Sequence, residues 1–253
     1  MAGIDGKKAI VTGGTHGMGL GIVEALLAGG AEVILTGRNE RTVEEARTAL
    51  AGRAAHVVRS DAASMADIDA LGALAAERLG GVDALFVNHG IAEIQTLEQV
   101  TEESWDRHFR VNAKGAFFTV QRLAPLLTDG GAVVFTTVAN DLVFPGLSAY
   151  SGSKEAVSAA AKVLAAELLP RRIRVNSVAP GFIKTPTMGV PGRSAEERAE
   201  FERQGDLQTP LGRHGTVAEV AAAALFLAFD ATFTTAAEFP IDGGFAQGIA
   251  APA

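Results

Sequence analysis

The chain has 253 residues, 22 Lys and Arg against 29 Asp and Glu, a net charge of −7 and a pI near 5.3. This balance excludes electrostatic capture of nucleic acid or an anionic membrane. There is no cysteine and the five histidines (His16, His56, His89, His108, His214) stand at no metal-ligand spacing, so disulfides, a thiolate nucleophile and a metal site are not expected.

Short apolar runs rich in β-branched residues alternate with longer helical patterns. The first run, Lys8–Thr12, is followed by a helix over Gly17–Ala28; the second, Glu32–Thr36, by a helix over Arg41–Ala51; the third, His56–Arg59, by a helix over Met65–Leu79. The fourth run, Ala84–Val87, leads to one long helix over Glu102–Leu127. The fifth, Ala132–Thr136, leads to a helix over Tyr150–Leu169. Arg174–Val178 and Glu238–Ile241 complete the set. Continuous apolar strands separated by helices imply a parallel sheet covered on both faces. The expected fold is α/β, a doubly wound Rossmann-type sheet of about seven strands, forming one domain over residues 1–253 because no linker or repeat divides the chain. Residues 186–210 interrupt the alternation. They are polar, bracketed by proline and glycine, and hold a short helix over Ser194–Arg203 with Ser194 and Glu197 at capping-box spacing. An excursion of this length after a strand reads as a substrate lid.

The opening MAGIDGKK lacks a signal-peptide stretch, and the longest apolar run, Val220 to Phe229, is about half of a membrane span. A cytoplasmic location with no membrane partner is therefore expected.

The first strand runs into Thr12-Gly13-Gly14-Thr15-His16-Gly17-Met18-Gly19 and then a helix. Glycine allows a sharp turn and a close approach by pyrophosphate, and the helix N-terminus adds free N–H groups. At the end of the first strand of an α/β chain, this reads as a dinucleotide site. At the end of the second strand, the place of an acid that would hold the ribose 2′-hydroxyl of NAD is taken by Gly37, and Arg38 follows. A guanidinium suits a 2′-phosphate, so NADP is expected over NAD.

Tyr150 and Lys154 lie four residues apart at a helix start, so they share a face. A phenol has a pKa of about 10; a neighbouring ammonium is expected to lower it, allowing Tyr150 to exchange a proton with a reacting oxygen.

Together these segments resemble the short-chain dehydrogenase/reductase family. The glycine spacing Thr-Gly-x-x-x-Gly-x-Gly, Asp61 after the third strand, Asn88-His89-Gly90 after the fourth, Asn112 in VNAKGAFF, Tyr150-Ser151-Gly152-Ser153-Lys154, Pro180-Gly181 with Thr185, and Asp242-Gly243-Gly244 stand in family order. The resemblance spans nearly the whole chain. It implies an NAD(P)-dependent carbonyl reductase or secondary-alcohol dehydrogenase. The catalytic residues would be Asn112, Thr137, Tyr150 and Lys154; residues Thr12 to Gly19, Arg38, Asp61, Ala62, Asn88, Gly90, Tyr150, Lys154, Pro180, Gly181, Ile183 and Thr185 would surround the cofactor. Lys154 would also hold the nicotinamide ribose, and Asn112 would position a water in the proton relay. The family's substrate-binding serine falls on Thr137, thirteen residues before Tyr150; its hydroxyl keeps the same donor and acceptor capacity. His89 stands where the family commonly has alanine. These two departures leave open a second reading, a catalytically weak nucleotide-binding regulator or sensor of the same fold. The resemblance also implies a homodimer or homotetramer, in keeping with the small residues Ala156, Ala160, Ala161 and Ala165 on the helix that begins at Tyr150.

Overall fold

The structure, a computed structural model, describes residues 3–140, 145–186 and 194–249. The first half winds β1 (Lys8–Thr12), α1 (Gly17–Ala28), β2 (Glu32–Gly37), α2 (Glu40–Ala49), β3 (Ala55–Arg59), α3 (Met65–Arg78) and β4 (Val82–Val87). Next come α4 (Glu102–His108), a π-helical segment (Phe109–Gly115), α5 (Ala116–Leu123), a 3₁₀ turn (Ala124–Leu126) and β5 (Leu127–Thr136). The remainder is α6 (Ser148–Leu168), β6 (Arg174–Pro180), β7 (Ile183–Lys184), α7 (Ala195–Gln208), β8 (Gly215–Thr216), α8 (Val217–Leu225) and β9 (Glu238–Ile241).

Seven strands form one sheet in the order β3-β2-β1-β4-β5-β6-β9, and every neighbouring pair is parallel. Alternation along each strand explains why. Ala9, Val11, Val33, Leu35, Phe86 and Val134 pack on one face with α1 and α8. Ile10, Ile34, Leu85, Val87, Val133 and Phe135 pack on the other with α3, α5 and α6. Both faces are apolar, so neither can be left to water. The chain winds outward from β1 to β3, then returns to β4 on the other side of β1. The carboxyl ends of β1 and β4 therefore diverge into a crevice, the place where doubly wound sheets bind ligands.

The expected single helix over Glu102–Leu127 is corrected to two helices joined by the π-helical segment Phe109–Gly115. The apolar pattern runs on through this widened turn, so periodicity alone does not reveal it. Pro125 then tightens the last turn to 3₁₀. β5 also starts earlier than expected: Leu127 pairs with Val82, and the register shifts before Ala84 meets Ala132. Gly130, with φ of 81°, lies in the slip.

The helix expected from Ser194 begins as read, with reciprocal Ser194–Glu197 capping, and extends to Gln208. Its base is tied by the small β7–β8 sheet, where Ile183 pairs with Gly215. Residues 187–193 of the expected lid lie outside the described residues. Among the described residues no helix is long and apolar enough to cross a membrane.

Candidate active site

Thr12 ends β1 and ties it to the end of β4: its Oγ1 accepts the Asn88 N–H at 3.1 Å and lies 3.3 Å from the Phe86 carbonyl, to which it can donate. Asn88 in turn donates its side-chain N–H to the Gly13 carbonyl at 3.2 Å. Packing demands glycine here. A Cβ on Gly13 would lie 2.8 Å from the His89 Cα, and one on Gly19 would lie 2.1 Å from the Gly13 carbonyl oxygen.

The loop delivers the chain to α1 in a state that suits an anion. Side chains cap α2, α3, α4, α7 and α8. At α1 the N-cap residue His16 makes no such bond, and no acid stands in the first turn. The unpaired N–H groups and the positive end of the helix therefore face the crevice, and a pyrophosphate fits them. Thr185 comes within 3.8 Å of the position a Cβ on Gly17 would occupy, so the loop after β6 closes over this end. At the tip of β2, a Cβ on Gly37 would fall 2.3 Å from the Thr15 hydroxyl. The exposed Arg38 beside it forms no ion pair among the described residues. Asp61 folds back onto the Ala63 N–H at 2.9 Å, and the Ala62 carbonyl would clash with a Cβ on Gly115.

On the far wall, α6 presents Tyr150 and the buried Lys154. The Lys154 ammonium donates to the Thr136 carbonyl at 2.7 Å, and it and the Asn112 side-chain oxygen both border Gly90, 3.2 and 3.3 Å from where a Cβ there would lie. Gly90, Asn112 and Lys154 thus lie together, with Asn88 two residues before Gly90. The Asn112 amide is held on three sides. Its N–H groups donate to the Ile91 carbonyl and to Ser153 Oγ, each at 2.9 Å, and its oxygen accepts the Ile91 N–H at 2.8 Å. The amide thus clamps the β4 loop to α6 with both of its N–H donors, and its oxygen keeps one lone pair beyond the Ile91 bond.

Burial dominates the electrostatics of the pair. Burial pushes the Tyr150 phenol up to about 12 and the Lys154 ammonium down to about 8. Withdrawal from water disfavours both charged forms. In the folded chain Tyr150 is a neutral phenol, the form that gives up a proton.

Thr137 borders the same cavity as Tyr150, but its hydroxyl is not aimed freely at a substrate. Thr137 Oγ1 lies 2.6 Å from a Glu238 carboxylate oxygen and 3.1 Å from the Val178 carbonyl. The hydroxyl expected to meet the reacting oxygen is thus engaged within the protein. His89 faces the glycine loop, with Nδ1 2.8 Å from Thr12 Oγ1. Burial and the nearby Lys154 charge hold its imidazole down at about 4, so it is neutral at physiological pH.

The cavity measures about 210 Å³ and its wall is mostly apolar, with Met18, Ile94, Leu147, Phe182, Phe201 and Phe245 prominent. Pro180, Gly181, Ile183 and Thr185 border it between Tyr150 and the glycine loop. Sequence reasoning missed His214, which sits on this wall with Nδ1 2.6 Å from Asp206. It also missed Glu238, which reads as an ordinary strand-end charge. Neither carries a motif that would have exposed it.

A parallel sheet with an anion-ready glycine loop at its switch point, Tyr150 on the wall of an apolar cavity and Lys154 buried one turn further along the same helix defines a Rossmann-type oxidoreductase. Known proteins agree. A family model described as enoyl-(acyl carrier protein) reductase matches residues 13–246. An NADP-dependent (R)-specific alcohol dehydrogenase of Lentilactobacillus kefiri is 34% identical, over 96% of this chain and 97% of its own length. A 2-(R)-hydroxypropyl-CoM dehydrogenase of Xanthobacter autotrophicus is 36% identical, over 94% of this chain and 98% of its own length. Among solved structures, a mutant short-chain dehydrogenase/reductase of Serratia marcescens superposes with a TM-score of 0.87 at 30% identity, covering 96% of this chain and 99% of that one. The chain belongs to the short-chain dehydrogenase/reductase family. Its members use nicotinamide dinucleotides.

Proposed function

We propose that the protein is an NADP-dependent carbonyl reductase and secondary-alcohol dehydrogenase. The observation that carries this reading is a single apolar cavity bordered both by Tyr150 and by Met18 and Thr185, residues at the mouth of the glycine loop. A nicotinamide laid through the crevice would supply or take up the hydride. The chain's own residues do the rest. Tyr150, a neutral phenol once withdrawn from water, donates its proton to the carbonyl oxygen in reduction; in oxidation its phenolate, formed by loss of that proton to solvent, takes the hydroxyl proton. Lys154, buried one turn along α6, holds the nicotinamide ribose and stabilises the phenolate as the proton leaves. Thr137 meets the substrate oxygen at the cavity wall. Thr12 to Gly19, Asp61, Ala62, Asn88, Gly90, Pro180, Gly181, Ile183 and Thr185 line the cofactor.

Preference for NADP rests on Gly37 and Arg38. No carboxylate stands where it would repel a 2′-phosphate, and Arg38 is free to pair with one. The apolar wall suits an uncharged carbonyl compound, and the relative from Lentilactobacillus kefiri is named for NADP and an alcohol.

The test is a panel of ketones and secondary alcohols followed by cofactor absorbance with NADPH and NADH, with Tyr150→Phe as control. Turnover of a ketone with NADPH that the control loses supports the reading. Equal turnover by the control overturns it.

A further inference from the structure

A hydroxyl has one proton, and the one on Thr137 has two acceptors within the protein. Glu238 Oε1 lies 2.6 Å away and the Val178 carbonyl oxygen 3.1 Å away. The same carboxylate oxygen accepts the Ser158 hydroxyl at 2.8 Å. Ser158 follows Tyr150 and Lys154 on α6 at successive four-residue steps, so all three share a face. Glu238 comes from β9, where it pairs with Ser177, and reaches in from the open edge of the sheet. Although 101 residues separate Glu238 from Thr137 in the chain, the short contact to an anionic acceptor is the strongest that Thr137 makes.

We propose that Glu238 is a positioning residue of this active site: by taking the Thr137 proton, it leaves Thr137 only a lone pair to offer the substrate oxygen. The inference rests on the reading of Tyr150 and the cavity given above. An alcohol substrate matches this setting in its resting complex, where its own O–H donates to Thr137; for oxidation that one proton turns from Thr137 to the Tyr150 phenolate. A ketone has no proton to give. It accepts from the Tyr150 phenol alone, and gains a second bond only when the Thr137 O–H turns away from Glu238. Glu238 thereby favours the alcohol complex over the ketone complex. The external equilibrium still fixes the ratio of the two kcat/KM values, so the effect is read in the individual KM values.

The experiment is a double-mutant cycle of Glu238→Ala and Thr137→Val, with KM measured for a ketone and for the matching alcohol. Glu238→Ala is expected to lower the ratio of ketone KM to alcohol KM about fivefold, the weight of one hydrogen bond. In the Thr137→Val background, where no hydroxyl remains to turn, the same substitution should leave the ratio unchanged. Glu238→Gln, whose amide oxygen still accepts the proton, should keep the parental ratio. An equal change in both backgrounds, or none in either, overturns the proposal. If the alanine variant does not fold, Glu238→Met keeps the length of the side chain and removes the carboxylate. Melting temperatures of the four proteins give a readout free of activity: they should be non-additive, and additive values would remove the Thr137–Glu238 bond itself. Full turnover by Tyr150→Phe would instead sink the catalytic reading, whatever Glu238 does.

Discussion

Gly37 lies directly against Thr15: a Cβ on Gly37 would sit 2.3 Å from the Thr15 hydroxyl and 2.6 Å from its methyl carbon. That hydroxyl is itself 3.1 Å from Thr42 Oγ1 at the start of α2. The position that would hold an NAD-selecting acid is therefore closed from within. Gly37→Asp is expected to weaken NADPH without gaining NADH, and only Gly37→Asp combined with Thr15→Ala should turn the preference towards NADH. Arg38→Ala should weaken NADPH by about 1–3 kcal/mol while leaving NADH nearly unchanged. Fluorescence titration with both nucleotides checks this; equal losses for the two would show that Arg38 acts on the fold.

Tyr150→Phe should fold and bind NADPH normally yet lose at least about 10²-fold in turnover. The pH profile adds a second readout. Tyr150 keeps its proton up to about 12, so the phenol itself does not limit reduction near neutrality. Lys154 loses its charge near 8, and with it the stabilisation of the phenolate formed as the proton leaves. The reduction rate should be level below about pH 8 and fall above it. A rate that climbs through pH 9 would contradict this assignment.

Acid stability should depend on His89. Its folded pKa of about 4 lies below the unfolded value of 6.5, so between those values the unfolded chain binds more protons. Stability therefore falls as pH drops from about 6.5 to about 4 and loses nothing further below that range. The loss is at most about 3 kcal/mol. His89→Ala should remove this part of the acid sensitivity. Parallel melting curves of the two proteins at pH 7, 5.5 and 4 provide the measurement, and an unchanged gap between them would refute it.

The chain should associate through its outer helices. Trp105 on α4, Phe117 on α5 and Val163 on α6 are large apolar residues left open to water, as is Leu169 just beyond α6, more than a lone subunit needs to expose on adjoining helices. Light scattering is expected to report a dimer or tetramer at micromolar concentration, and Val163→Asp should shift it towards monomer. A parental monomer would end the idea.

Elements with a strong local signature were legible. β1 and α1 begin and end where the apolar run and the glycine loop place them, and the Ser194–Glu197 pair marks the start of α7 to the residue. The same signal was present for α8, where Thr216 and Glu219 form a reciprocal cap, but the run after it was read only for its length. Features that depend on distant partners were not legible. The π-helical turn at Asn112 leaves the apolar pattern intact. The Thr137 hydroxyl looks available until Glu238 is brought beside it by β9. The raised pKa of Tyr150 is a matter of how much water the fold removes, which spacing to Lys154 does not report.

β9 is made last of the seven strands, and until it docks β6 is the rim of the sheet. During that interval Val175, Ser177 and Ala179 present unpaired backbone groups on the open side of an apolar strand, a template for the wrong neighbour. A nascent chain at that stage already carries the glycine loop, Tyr150 and Lys154, so its danger lies in clumping rather than in lacking catalytic groups. Shortening the gene so that translation stops before residue 238 should accordingly fill inclusion bodies, whereas stopping just after Phe245 should leave soluble protein.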